Sequence, residues 1–469
     1  MKIIIVGASN VGIQIARQLI SENKDVVIID RDPERIKLAQ NSLDCMVVQG
    51  EANRWEVLNQ SGVNEAEFFI AVTESDEMNL IACGMVSSEF KTPYKIARVR
   101  NFDYSASKIA GHTFLGINFV VNPEIEAAKA IVRSVEHGAI SDIMFFEDSS
   151  FQMRSIVVSE GSFFSGKSVQ EIKAQIQAEF IIAVIIRDND YIIPSGGTFV
   201  ITGDTLYLIA SPDILDAMFS WAGKQRVDIR KIIIVGGGRI GTYVLQHLLD
   251  RHPNGKKRIL GKLFGPFLNR QKRNIVLIDK DFEQCKLLAE EFPEILVQYG
   301  DISEEGFLED GDLVNYDLLI ATTGNQELNL VTSLYAKSLG IGRTVALVKK
   351  NNFMHIAQHL AVDTTISLNN SMVNSILKYL RRGNIKNIHA ILGGKLEIIE
   401  ASCEEGCTLV GQKIKDLKLP YDTLIIFISR EKENIIPTGE VTIEYGDHIV
   451  LLTRKESIKK LDRIFAYQS

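Results

Sequence analysis

The second half of the chain carries a glycine-rich segment between an apolar run and a helical pattern. KIIIV (231–235) is followed by GGGRIG, which places glycines at 236, 238 and 241. In a strand–turn–helix context such glycines permit a tight turn, let the backbone approach a pyrophosphate and let the helix pack closely. The helix N-terminus then offers free N–H groups to phosphates. The predicted phosphate loop consists of Gly236, Gly237, Gly238, Arg239, Ile240 and Gly241.

An acidic residue closes the next apolar run. Asp279 ends IVLID, where a carboxylate can accept both hydrogens of a ribose diol and repels a 2′-phosphate. The sequence therefore favours NAD(H), ATP, ADP or AMP over NADP. The gap from Gly241 to Asp279 exceeds the usual spacing of about 20 residues, because an insertion (251–273) lengthens it.

A related segment opens the chain and predicts a second site. KIIIV (2–6) leads into GASNVG, and Asp30 ends VVIID at the usual spacing. Ser9 replaces the middle glycine, so its side chain either crowds the pyrophosphate or donates a hydrogen bond to it. The loop consists of Gly7, Ala8, Ser9, Asn10, Val11 and Gly12.

More polar residues follow the later apolar runs, where ligands bind in parallel sheets. Arg98 is a candidate phosphate clamp. Its counterpart is Leu347, so the two pockets are expected to differ in ligand. The further candidates are Glu51, Thr73 and Glu74 in the first half, and Asp301, Thr323 and Gly324 in the second.

Both loops belong to a duplication that spans the chain. KIIIVG occurs at 2–7 and 231–236, and AVTESDEMNL (71–80) matches ATTGNQELNL (321–330). Internal repetition of this kind indicates two copies of one architecture. Short Val and Ile runs between helical patterns predict a parallel sheet covered on both faces.

The predicted fold class is α/β, with two Rossmann-like doubly wound parallel sheets, each followed by a small α+β domain. The small domains share IIPSG (192–196) and IIPTG (435–439). The predicted domains are 1–135, 136–225, 229–383 with the insertion 251–273, and 384–469.

Composition narrows the class of protein. The 469 residues carry a net charge of −7, which argues against non-specific nucleic-acid binding. The sequence has neither a signal peptide nor a run of the roughly 18 apolar residues that a membrane helix needs. A cytoplasmic protein with reduced thiols is expected. The cysteines are Cys45, Cys83, Cys285, Cys403 and Cys407. The segment CEEGC, which contains the last two, predicts a solvated turn with incidental thiols.

No set of residues predicts catalysis. The sequence lacks GxSxG and a P-loop. His355 and His359 lie one helical turn apart, but no third ligand is obvious and HExxH is absent, so no metal site is predicted. An NAD-dependent oxidoreductase and a ligand-free scaffold stay as alternatives to a nucleotide sensor.

The insertion 251–273 contains eight basic residues and no acidic one, with apolar residues near helical spacing. Such a segment can lie on an anionic membrane surface or against a membrane partner. The alternative is a flexible solvated loop.

The order of these motifs in both copies resembles the TrkA family of Trk-type potassium uptake regulators, whose units are called RCK or KTN domains. The resemblance covers essentially the whole chain. It implies a non-enzymatic subunit, cytoplasmic and peripheral on the inner face of the cell membrane, that gates a TrkH-type potassium-translocating protein. It also implies a homotetramer that binds NAD(H), with ATP or ADP at one of the two sites.

The resemblance assigns the nucleotide contacts of the first site to Gly7 to Val11, Asp30, Glu51, Thr73, Glu74 and Arg98. It assigns those of the second site to Gly236 to Ile240, Asp279, Asp301 and Thr323. Two positions depart from the family pattern. Ser9 replaces a usual glycine, and Arg239 stands where a polar residue such as Asn is common. The basic insertion is also additional.

Overall fold

A computed structural model gives the fold. It describes residues 1–465 except 93, 102–113, 137–142, 147–148, 189, 223–228, 250–272, 305, 311–312, 359, 361, 381–384, 392–395, 405–406, 421–422, 432 and 455–456. The predicted basic insertion, apart from residue 273, and His359 lie outside the described residues. Within them, no helix is both long and apolar enough to cross a membrane.

The first copy opens with six parallel strands in the order β3-β2-β1-β4-β5-β6. The strand order reverses between β1 and β4, the switch point where such sheets bind ligands. The strands are β1 Lys2–Val6, β2 Asp25–Asp30, β3 Met46–Gln49, β4 Phe68–Ala71, β5 Tyr94–Arg98 and β6 Phe119–Val121. The helices are α1 Asn10–Ser21, α2 Pro33–Ser42, α3 Trp55–Gln60, α4 Asp76–Glu89 and α5 Pro123–Glu136.

A small antiparallel sheet follows in the first copy, with the order β10-β9-β11-β8-β7. Its strands are β7 Ile143–Phe145, β8 Gln152–Val157, β9 Phe180–Arg187, β10 Asp190–Ile192 and β11 Thr205–Ala210. Its helices are α6 Val169–Gln175 and α7 Pro212–Trp221. Ser168 and Glu171 begin α6 with a capping box.

The second copy repeats the parallel sheet in the order β14-β13-β12-β15-β16-β17, which confirms the predicted pair of Rossmann-like sheets. The strands are β12 Lys231–Val235, β13 Asn274–Asp279, β14 Leu296–Tyr299, β15 Leu318–Ala321, β16 Arg343–Val348 and β17 Thr364–Ser367. The helices are α8 Arg239–Leu248, α9 Phe282–Glu291, α10 Phe307–Asp310, α11 Gln326–Ser338, α12 Asn351–Gln358 and α13 Leu368–Leu380.

The second small sheet has the order β18-β19-β22-β20-β21. Its strands are β18 Ile385–Ile391, β19 Leu396–Ser402, β20 Leu424–Arg430, β21 Glu433–Ile435 and β22 His448–Arg454, and its helix is α14 Ile458–Phe465. The prediction of a solvated turn at Cys403 and Cys407 is wrong. Both side chains are buried, because the segment after β19 packs into an apolar cluster with Leu409 and Phe465.

The two large sheets exchange one helix each and form one compact unit, residues 1–141 and 227–380. Helix α5 of the first copy packs Ile131 into the core of the second sheet, beside Val244 of α8. Helix α13 of the second copy packs Ile376 into the core of the first sheet, beside Ile15 of α1. Each sheet is therefore covered by a helix of the other copy.

The two small sheets form the other compact unit, residues 142–226 and 381–469. A shared apolar cluster contains Met153 and Val184 from the first copy with Ile398 and Phe427 from the second. The hydroxyl of Ser149 also donates to the side-chain oxygen of Asn434 at 2.7 Å. These contacts bury one apolar face of each sheet against the other.

Candidate functional site

The first and last glycines of each loop have a structural role. Gly7 and Gly236 have φ of +108° and +101°, in the region that favours glycine. A Cβ on Gly12 would lie 1.8 Å from the carbonyl oxygen of Gly7, and one on Gly241 would lie 1.9 Å from that of Gly236. Only glycine therefore allows this close packing of helix against loop.

The middle position of the second loop has no such role. A Cβ on Gly238 would meet no described protein atom within 4 Å. Gly238 immediately precedes α8, in which Arg239 and Ile240 supply the first two N–H groups. The free space beside these donors leaves room for the phosphate group that the sequence analysis expects here.

Ser9 takes the middle position in the first loop. It immediately precedes α1, whose first residues are Asn10 and Val11, and its side chain does not cap the helix. Its Oγ is buried and has no hydrogen-bond partner among the described residues. Because buried polar atoms are nearly always paired, this hydroxyl fits a donor to a bound anion.

The two strand-end aspartates are tied to the phosphate loops. Asp30 accepts the N–H of Ala8 on Oδ2 at 2.6 Å and that of Asp32 on Oδ1 at 2.9 Å. Asp279 accepts the N–H of Gly237 at 2.6 Å in the same way. Each carboxylate oxygen has two lone pairs, so capacity for a ribose diol is left. The sequence predicts the ribose contact but misses this bracing of the loop.

Thr73 and Thr323 are held by two buried asparagines that sequence reasoning missed. Asn79 accepts the N–H and hydroxyl of Thr73 at 2.9 and 2.7 Å, and it donates to the carbonyl of Arg98 at 2.9 Å. Asn329 makes the same contacts with Thr323 and the carbonyl of Leu347. The matched decapeptides 71–80 and 321–330, which contain both asparagines, were the available signal.

Arg98 differs most between the copies, because Leu347 occupies its position in the second. Its Nη1 donates to the carbonyl of Thr73 at 3.1 Å. Its Nε is buried and has no partner among the described residues. Burial, followed by the charge of Arg100, lowers the pKa of Arg98. A partly buried cation with a free Nε–H of this kind favours an anionic ligand.

The remaining predicted carboxylates are oriented by local partners. Glu51 lies 3.8 Å from Arg31, and Glu74 lies 3.4 Å from Arg35. Asp301 accepts the N–H and hydroxyl of Ser303, and these bonds hold the pKa of Asp301 below its usual range. The structure thus shows these groups in ion pairs or turns, while Gly324 accepts a hydrogen bond from Lys349 at 3.1 Å.

One charged contact joins the copies at the second loop. An Nη1 of Arg239 lies 3.6 Å from Oε2 of Glu124, on the exchanged helix α5. Burial raises the pKa of Glu124, and Arg239 and then Arg100 oppose the shift. No sequence signal predicted Glu124, because the contact depends on which sheet α5 covers.

The described residues contain no group of three or more His, Cys, Asp or Glu side chains placed to hold a metal ion. Of the predicted histidine pair, His359 and the side chain of His355 lie outside the described part of the chain.

The fold defines a tandem protein with two Rossmann-like sheets, each followed by a small antiparallel sheet, and the comparisons agree. The family profile of the TrkA-N domain matches residues 3–123 and 259–368. That of the TrkA-C domain matches residues 153–223 and 398–466. The GsuK RCK domain shares the fold, with a TM-score of 0.53 and 20% identity over 99% of this chain and 94% of that chain. The GsuK channel bound to NAD has a TM-score of 0.52 and 21% identity over 99% of this chain and 78% of that chain.

Full-length relatives give the family. The Trk system potassium uptake protein TrkA of Halomonas elongata is 30% identical over 471 residues, 99% of this chain and 98% of that protein. Homolog 1 from Methanosarcina mazei is 28% identical over 99% of this chain and all of that protein. This chain belongs to the TrkA family of Trk system potassium uptake proteins.

Proposed function

We propose that this chain is a cytosolic sensor of NAD(H) and adenine nucleotides that regulates potassium uptake. The observation that carries the proposal is the second loop. There, the space beside Gly238 at the N-terminus of α8 is not occupied by any described side chain. The NAD named with the GsuK channel supports a dinucleotide at such a loop.

The proposed contacts are the predicted ones. The loops hold the phosphates, Asp30 and Asp279 accept ribose hydroxyls, and Thr73, Thr323 and the nearby carboxylates border the ligand. The site that contains Arg98 and Ser9 offers two buried donors without a partner among the described residues, whereas none of the described residues of the other site does so. This difference supports NAD(H) in one site and ATP or ADP in the other.

The proposed partner is a TrkH-type potassium-translocating protein, with the chain as a homotetramer on the inner face of the membrane. The family name supports a potassium uptake system. Ligands shift a two-state assembly only by their difference in affinity for its states. The exchanged helices supply a mechanical connection between the sites, since each is packed on the sheet of the other copy.

The proposed role is not enzymatic. Backbone amides, hydroxyls and guanidinium groups around the loops serve binding rather than proton transfer. An NAD-dependent oxidoreductase would consume NADH in the presence of a small aldehyde or keto acid. Absence of turnover across such a panel, together with NADH binding, separates the sensor from this alternative.

Potassium flux tests the proposal. Proteoliposomes that contain a TrkH-type protein should show flux that changes when this chain and NADH or ATP are added together. The Asp30→Ala/Asp279→Ala double variant, checked for its melting temperature, should lose the nucleotide response. A response identical in wild type and double variant would reject nucleotide sensing through these loops.

Deletion of 254–272 tests the proposed membrane contact, because sedimentation with anionic liposomes should then weaken.

A further inference from the structure

Two cysteines of the second small sheet are in direct contact. The Sγ atoms of Cys403 and Cys407 lie 2.9 Å apart. Cys403 is fully buried, whereas Cys407 keeps 8% of its surface exposed. Both cysteines are buried, and Cys407 is the less deeply buried of the two.

The backbone holds both cysteines in place. The N–H of Cys403 donates to the carbonyl of Asp447 at 2.8 Å, and its own carbonyl accepts from Gly446 at 2.8 Å. The N–H of Cys407 donates to the carbonyl of Glu404 at 3.1 Å. Because a disulfide forms only between cysteines that are already close, these two anchored residues need little movement to form one.

The two thiols differ in chemistry. Hydrogen bonding between the two thiols lowers the pKa of Cys407; burial opposes this shift, and backbone hydrogen bonds at Leu409 and Val410 add to it. The same bond to Cys407, together with burial, raises the pKa of Cys403. Cys407 is thus the nucleophile, because the thiolate is the reactive form.

The other described cysteines lack this activation. Burial raises the pKa of Cys45 to about 11 and that of Cys83 to about 12, and it also raises the pKa of Cys285. These three thiols are expected to react slowly with oxidants at neutral pH. The reactivity is therefore confined to one pair.

The first copy shows that the pair is not required by the fold. The N–H of Val158 donates to the carbonyl of Asp204 as that of Cys403 donates to that of Asp447. The N–H of Ser162 bonds to the carbonyl of Ser159 as that of Cys407 bonds to that of Glu404. Val and Ser thus occupy the equivalent positions of the same turn.

We propose that Cys403 and Cys407 form a reversible redox site, which hydrogen peroxide oxidises to an intramolecular disulfide. The Cys407 thiolate attacks one peroxide oxygen, the O–O bond breaks, and the hydroxide that leaves takes a proton to become water. The Cys403 sulfur then attacks the Cys407 sulfenic acid. The S–S bond forms, the S–O bond breaks, and the leaving hydroxide takes the Cys403 proton as a second water. Peroxide is reduced, and two thiols are oxidised by two electrons.

The disulfide would act on the contact between this turn and the C-terminal helix. Thr408, next to Cys407, donates from its hydroxyl to the carbonyl of Ile464 in α14 at 3.0 Å. A disulfide would link Cys407 to Cys403 at the end of β19, and it would thereby restrict how α14 packs against this turn. The packing of this small domain is expected to differ between the two redox states.

Differential alkylation of the full-length reduced protein tests the site. After peroxide treatment, two of the five thiols should resist alkylation, and the mass should fall by about 2 Da for the two hydrogens lost. Peptide mapping should place the bond between Cys403 and Cys407, and dithiothreitol should restore both thiols. Both cysteines still alkylated, or both oxidised to sulfinic acids, would overturn the proposal.

Two variants complete the test. Cys407→Ser should abolish the mass loss and leave Cys403 alkylatable after denaturation. The Cys403→Val/Cys407→Ser double variant carries the residues of the first copy at this turn, so it should fold and be insensitive to peroxide. A 2-Da loss that persists in the double variant would assign the oxidation to another pair and reject this site.

Discussion

The guanidinium of Arg239 lies 3.6 Å from the carboxylate of Glu124, and this contact joins the phosphate loop of the second copy to a helix of the first. Arg239 is the first residue of α8, so the contact is adjacent to the proposed phosphate position. We therefore expect nucleotide binding at this loop and the charge state of Glu124 to affect each other.

Replacement of Glu124 should change the pH dependence of stability. Burial raises the pKa of Glu124 in the folded chain, where Arg239, Arg100, Asp76 and Tyr243 surround it. The folded state thus binds this proton more tightly than the unfolded state, so wild-type stability falls as pH rises from 4.5 through the raised pKa. Glu124→Gln should remove this fall in urea unfolding at a series of pH values.

Arg239→Ala is the matched variant, and it should change the pH dependence of stability in the direction opposite to Glu124→Gln. Loss of the cation that lowers the pKa of Glu124 should raise that pKa further and widen the pH range over which stability falls. If the free energy of unfolding depends on pH in the same way in wild type and both variants, the pKa of Glu124 does not change on folding.

Two glycines of the second loop should respond differently to a methyl group. Gly238→Ala should leave the melting temperature unchanged, since the new Cβ meets no atom of the described residues within 4 Å, but should weaken NADH binding at least about tenfold. Gly241→Ala should lower the free energy of unfolding by about 1–3 kcal/mol, because its Cβ would lie 1.9 Å from the Gly236 oxygen. Calorimetry and urea unfolding measure the two effects. Unchanged NADH affinity in Gly238→Ala would show that this loop does not contact the ligand.

Ser9 variants should decide whether its hydroxyl binds or crowds the ligand. Ser9→Ala should leave stability unchanged or raise it slightly, because an unpaired buried hydroxyl is removed. If the hydroxyl donates to the phosphate, Ser9→Ala and Ser9→Gly should both weaken nucleotide binding at the first site. Tighter binding by the glycine variant would instead show that the side chain crowds the pyrophosphate.

Asn79→Ala should destabilise the first sheet. The change leaves the N–H of Thr73 and the carbonyl of Arg98 without their partner. The expected loss is about 3 kcal/mol of unfolding free energy. Asn59→Ala, at an exposed position of α3, should change it by less than about 0.5 kcal/mol. Equal effects from the two variants would contradict the bracing role.

The sequence predicted the features that depend on local pattern. The parallel sheets follow from Val and Ile runs, and the close packing at Gly12 and Gly241 follows from their spacing in the loops. The exchange of α5 and α13 was not predictable in the same way. The amphipathic pattern of α5 predicts that it covers a sheet but does not say which sheet it covers.

Burial of Cys403 and Cys407 escaped prediction for a similar reason. CEEGC contains two glutamates and a glycine, a composition typical of a solvated turn. The cover comes from residues far away in sequence, including Ile443, Leu461 and Phe465. Glu124 was missed likewise, since its partner Arg239 lies in the other copy.

Titration calorimetry shows whether the two loops bind nucleotides. Wild type should bind NADH and ATP at two sites per chain and NADPH weakly or not at all. Asp30→Ala should lose the first site and Asp279→Ala the second, with α/β circular dichroism retained. Removal of the Asp279 carboxylate should also relax the rejection of NADPH. No heat of binding from any of these nucleotides would contradict the account and leave a scaffold in its place.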